Sequence, residues 1–247
     1  MKILVLNPNT SQGVTDKIAA VARRAAAADT ELEFITAPYG VPYIATRTEA
    51  LIAGQIALEV IAEREHEWDA VVLAAFGDPS LSALREIFSI PIIGLAEASM
   101  LMACPLGRNF SIVSFSTNLQ AWYRECVEWH KMDNRLASIR MLDKPFNDVN
   151  AVQSDFEDML VDLSLRAIQE DGAEVIITAG APLAGLASRV RDRIPVPVIE
   201  GVAAAVGMAE AMCRQNPRAP ETGAFKRPVA KESSGLSDTL TALLSNK

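Results

Sequence analysis

The chain contains the same strand-and-turn unit twice. Residues 71–80 read VVLAAFGDPS and residues 175–185 read VIITAGAPLAG. Each is an almost continuous apolar run, broken abruptly by Gly and Pro. Such runs mark strands buried on both faces, as in a parallel sheet. An offset of 105 positions carries Val71 onto Ile176, Ala75 onto Gly180 and Leu81 onto Leu186. A second pair, IPIIGLAEA and VPVIEGVAA, matches at an offset of 106, so one residue is inserted between the pairs. The repeat predicts an α/β fold of two pseudo-symmetric lobes, each a parallel sheet flanked by helices. Open α/β sheets bind ligands at the carboxyl ends of their strands. Two lobes of this kind place a ligand crevice between them.

The rest of the chain follows the same grammar. KILVLNP (2–8), LEFITAP (32–38), NFSIVSFS (109–116) and a short segment at 140–142 read as further strands. Periodic stretches at 15–28, 47–66, 119–132 and 155–171 read as helices. The expected lobes are residues 1–97 with 206–247, and residues 98–205. Residues 216–235 are rich in Pro, Gly and Ser and read as irregular, with a terminal helix from Ser237 to Leu244 that docks back.

Half of the 247 residues are hydrophobic, enough for a substantial core, and the formal net charge is −8. An acidic chain repels a phosphate backbone, so nucleic acid is not an expected partner. No apolar stretch spans a bilayer and MKILVLNPNT lacks a signal-peptide core, so the expected location is the cytoplasm. The three cysteines, Cys104, Cys126 and Cys213, read as reduced packing residues. His66 and His130 have no partner at metal or triad spacing and read as structural, so no metal site is expected. Without GxGxxG or a Walker loop, no nucleotide cofactor is expected either.

Candidate site residues cluster at strand ends. In NPNTS (7–11), Asn9 offers a polar group at a helix start, suited to a carboxylate or imide oxygen or to a plain N-cap role. Asp78 stands at the start of a short helix, Ser80 to Phe88, as a cap or a general base. Ser116 and Thr117 lie in the matching loop of the second lobe. Glu97 and Glu200 follow two buried strands, where a carboxylate either has a raised pKa and carries protons, or is solvated or paired with an arginine. Arg47 is either a clamp for an acidic ligand group or an exposed helix-start arginine.

Five motifs in order, NPNTS, DAVVLAAFGDPSL, IPIIGLAEA, GAEVIITAGAPLAGL and PVIEGVAAAV, resemble the hydantoin racemases of the aspartate/glutamate racemase superfamily. The resemblance implies two facing lobes, no cofactor, a small-molecule substrate and a homo-oligomer. It also implies one cysteine after each repeated strand, one thiolate removing the Cα proton and the other thiol returning a proton to the opposite face. Here the family's ACFGDPGL reads AAFGDPSL, and its LGCAGMAGL reads TAGAPLAGL. Ala75 and Gly180 hold the cysteine positions, so neither thiol is present.

The backbone cradle is still expected to hold a five-membered cyclic ureide or thioureide. Its contacts are Asn9, Ala75, Phe76, Gly77, Ser116, Thr117, Thr178, Gly180 and Ala181. With the thiols gone, the expected chemistry is attack on a ring carbonyl or thiocarbonyl by water activated by Asp78 or Glu200. Ring hydrolysis or loss of sulfide would follow. Two alternatives stand beside it: isomerisation by non-cysteine bases, and a non-catalytic binding protein.

Overall fold

The computed structural model describes residues 1–245. Positions 246–247, the end of the first lobe's expected span, lie outside the described residues. The first sheet runs through β1 (Lys2–Asn7), α1 (Gln12–Ala25), β2 (Glu31–Thr36), α2 (Arg47–Arg64), β3 (Ala70–Leu73), α3 (Leu81–Ile87) and β4 (Ile92–Gly94). After α4 (Leu95–Ala103), the second runs through β5 (Phe110–Ser114), α5 (Gln120–Trp129), β6 (Leu136–Met141), α6 (Val152–Asp171), β7 (Val175–Thr178), α7 (Leu186–Val190) and β8 (Val198–Glu200). The chain closes with α8 (Gly201–Gln215) and α9 (Asp238–Leu244).

Both sheets are parallel and four-stranded, ordered β2-β1-β3-β4 and β6-β5-β7-β8. The repeat read from sequence is the repeat of the fold. An offset of 105 carries β3 onto β7, and one of 106 carries β4 onto β8. In the first sheet Val5 pairs with Val72, and in the second Ile112 pairs with Ile177.

Each buried strand divides its side chains between two cores. Ile3, Val5, Ala70 and Val72 face a central core, together with Ile112 and Ile177 from the other sheet. Leu4, Leu6, Val71 and Leu73 face the outside, under Ile56 and Ile61 of α2. Phe156 and Leu160 of α6 cover the outer face of the second sheet. This two-sided burial is why the strands read as apolar runs and not as alternating patterns. Helices α4 and α8 pack on each other between the sheets, with α8 over β3 and β4 and α4 reaching β7 and β8. The terminal helix α9 docks on α2. Ser237 caps its start, the hydroxyl accepting from Leu240 N. Among the described residues, no helix is long and apolar enough to cross a membrane.

One strand is longer than the sequence reading. The segment expected at 140–142 is a six-residue strand, 136–141, with a register shift opposite Phe110 and Ser111. It is an edge strand, mostly half-buried, so its apolar signal is diluted by Ser138 and Arg140.

Candidate active site

The tips of β3 and β7 meet at one crevice. Asn9, Tyr43, Ala75, Phe76, Trp122, Tyr123, Gly180 and Ala181 line it, with Ile44 and Pro182. Its free volume is about 20 Å³, room for roughly one water molecule. Admission of a ring therefore requires the walls to part.

Each wall has a local cause. Asn9 sits in the turn between β1 and α1, where its Oδ1 accepts from Asn7 Nδ2 at 3.1 Å and from Ser11 N at 2.9 Å. With the oxygen engaged, its amide NH₂ is the group free to donate. Gly180 has φ +110°, and a Cβ built there would stand 3.0 Å from Phe115 Cε1 and 3.6 Å from the Tyr123 hydroxyl. Backbone of this conformation suits glycine, so a side chain at the second tip would be strained. Ala75 has no such constraint.

Two phenols reach the crevice. Tyr43 packs against Phe115 and Phe146, with ring centroids 5.5 Å from each. Its hydroxyl is buried and, among the described residues, makes no well-directed hydrogen bond. Burial pushes its pKa above the usual phenol range, an effect that nearby Ser116 only partly offsets. Tyr123, fully buried beside Phe76, is pushed up in the same way, first by burial and then by the neighbouring Tyr43. Both are neutral donors at physiological pH.

The carboxylates expected to activate water are elsewhere. Asp78 is buried, and its two oxygens accept from Ala96 N and Glu97 N, each at 2.9 Å. It is a cap, as its position suggested, but of α4 and not of its own helix. Gly94 makes this possible, because a Cβ there would stand 2.4 Å from Asp78 Cγ. The loop that delivers Asp78 is strained, with Gly77, Asp78 and Ser80 all at positive φ. Glu200 caps α8 by accepting from Ala203 N at 2.8 Å. It lines a surface hollow with Arg24, Gly185 and Arg191, away from the crevice, and burial raises its pKa. Both carboxylates expected to activate water thus accept from amides at helix N-termini, and neither is part of the crevice lining.

Other expected contacts are also displaced. Arg47 is exposed at the start of α2 and pairs with Glu125 of α5, Nε to Oε2 at 2.8 Å. Thr178 is buried in the sheet and donates to Ile199 O at 3.2 Å. Thr117 is exposed, and Ser116 is buried near Tyr43, outside the crevice lining. Gly77 faces Trp122 on the outer side of the crevice wall. The aromatic wall residues Tyr43, Trp122 and Tyr123 were missed, because single aromatics in a loop and a helix look like core packing.

The histidine reading changes as well. His130, at the end of α5, places Nε2 3.0 Å from Asp78 Oδ2 and Nδ1 3.6 Å from Glu97 Oε1. Arg85 grips Glu97 through both terminal nitrogens. Burial pushes the Glu97 carboxyl up, but hydrogen bonding and charge from Arg85, with His130, more than offset it and hold it low. A carboxyl lowered on folding stabilises the fold above its unfolded value and loses that contribution as pH falls through the folded value. Glu97→Gln is therefore expected to flatten the acid limb of stability below about pH 4.5, as read by urea melts between about pH 3 and 7.

Two parallel α/β sheets whose repeated strand tips meet at one crevice are the fold of solved racemase structures. The chain belongs to the Asp/Glu/hydantoin racemase family, whose sequence profile matches residues 3–209. It is 35% identical over 237 residues to a hydantoin racemase of Paenarthrobacter aurescens, covering 94% of this chain and 99% of that one. A hydantoin racemase of a Pseudomonas species is 32% identical, with 94% of each chain covered. The solved structure of an allantoin racemase from Klebsiella pneumoniae superposes with a TM-score of 0.90 at 33% identity, covering 98% of both chains.

Proposed function

We propose that this protein binds a five-membered cyclic ureide of the hydantoin or allantoin type and exchanges the proton at the ring stereocentre next to a carbonyl. The observation that carries this reading is the crevice itself. The two strand tips line it together, and the titratable side chains on its walls are Tyr43 and Tyr123. The Asn9 amide and the tip-loop backbone supply donors for the ring oxygen on which charge develops when the proton leaves. Kinship with hydantoin and allantoin racemases favours isomerisation over ring hydrolysis or desulfuration, which have lost both of their carboxylates to helix caps.

In this reading one phenol removes the proton and the other returns one to the opposite face. A phenol with a raised pKa is ionised in a small fraction of molecules, so the rate climbs about tenfold per pH unit between pH 7 and 9. The test is decay of optical rotation of an enantiopure 5-substituted hydantoin and of allantoin. Tyr123→Phe and Tyr43→Phe are each expected to slow it about 100-fold or more, and Glu200→Gln to leave it unchanged. Full activity in both phenylalanine variants overturns the assignment. A second reading, binding without turnover, is favoured by the glycine-shaped backbone at position 180. Thermal shifts by the same ligands without rotation decay would establish it.

A further inference from the structure

Behind the crevice wall lies a second constellation that the proposed chemistry does not use. We propose that Asp78, Cys126 and His130 form a binding site for one divalent transition-metal ion, zinc being the best match. One ligand atom from each of the three lies within 4.8 Å of the other two. His130 Nε2 and Asp78 Oδ2 are 3.0 Å apart. Two ligands of a tetrahedral zinc ion, each bonded at about 2.0–2.3 Å, stand roughly 3.3–3.8 Å apart. Closing on an ion thus needs only small side-chain adjustments.

The donors are also chemically selective. A thiol, an imidazole and a carboxylate together suit zinc or cobalt, whereas calcium and magnesium require oxygen ligands throughout. Cys126 and His130 are four residues apart along α5 and its last turn, which puts them on one face. The outer shell is complete. His130 Nδ1 faces Glu97, which Arg85 holds, and the Asp78 carboxylate is fixed by two amides of α4. A carboxylate behind a ligating imidazole orients the ring and raises its basicity. The site opens onto a hollow of about 250 Å³ bordered by Ser82, Glu125 and Trp129, which gives an ion a path and leaves room for a water as fourth ligand.

The site bridges the lobes. Asp78 comes from the loop after β3, Cys126 from α5 of the second lobe, and His130 from the residue that ends α5. Trp122, one turn before Cys126, is a crevice wall. A bound ion therefore acts as a clasp that fixes this wall against the first strand tip.

The test is titration of chelator-treated, full-length protein with cobalt(II) chloride. The expected result is one ion per chain, bound at micromolar concentration or tighter, with a thiolate-to-cobalt charge-transfer band. Cys126→Ser is expected to abolish the band, the Cys104→Ser/Cys213→Ser double variant to retain it, and Glu97→Gln to weaken binding about tenfold. Circular dichroism of each metal-free variant checks its fold. If Cys126→Ser does not fold, His130→Gln decides, with an expected loss of about 100-fold in affinity. Absence of the band in the parent protein, its survival in Cys126→Ser, or unchanged affinity in His130→Gln overturns the proposal.

Discussion

Asp78→Ala is expected to lower the free energy of unfolding by about 3–4 kcal/mol. The change removes the acceptor for two buried amides at the start of α4 and for the ring of His130. Each orphaned donor costs roughly 1–3 kcal/mol, because water does not reach it. Asp78→Asn is expected to recover only part of the loss, since its NH₂ must face an amide donor. Denaturant melts monitored by circular dichroism measure both variants. The pair of variants also separates the two roles open to this carboxylate. A water-activating base would lose turnover with stability kept, whereas a helix cap loses stability first.

The second large effect concerns Ala75 and Gly180, the small residues at the two repeated strand tips. Gly180→Cys is expected to destabilise the fold by about 2–4 kcal/mol. Its φ of +110° is one that side-chain-bearing residues rarely adopt, and the new Cβ presses on Phe115 at 3.0 Å. Ala75→Cys adds one sulfur at a buried position with ordinary backbone, beside the crevice, and is expected to cost only about 1 kcal/mol. At neutral pH a thiol there is ionised in a larger fraction of molecules than a buried phenol. It is therefore expected to raise proton exchange at the ring by at least about tenfold. Equal stability losses in the two variants would show that the glycine conformation is incidental. The asymmetry also means that the two tips differ in backbone: Gly180 stands at φ +110°, whereas Ala75 has ordinary backbone.

How much of this the sequence shows depends on how local each cause is. The repeated strands are legible because a strand buried on both faces must be apolar throughout, and the turn after it must break the run. Val71 to Leu73 and Val175 to Ile177 obey that rule. The partner of Asp78 is not legible, because the helix it caps begins 17 residues later and is brought to it by the sheet. His130 is an intermediate case. The spacing of Cys126 and His130 in ECVEWH is a helix-face signal, but the third member comes from the other lobe. Glu200 illustrates the opposite error. A carboxylate after a buried strand looks poised for chemistry, yet the next helix takes it as its cap. Tyr43 and Tyr123 carry no signal at all beyond being aromatic, since only the meeting of the lobes turns them toward one crevice.

We propose that this crevice takes a cyclic ureide and moves a proton without thiols. Proton NMR in D₂O measures it most directly, by following loss of the C5–H signal of an enantiopure hydantoin and of allantoin. Enzyme-dependent exchange that rises with pH and falls in Tyr123→Phe and Tyr43→Phe is the expected result. A C5–H signal that decays no faster with stoichiometric enzyme than without it, at every pH from about 7 to 9, would contradict it.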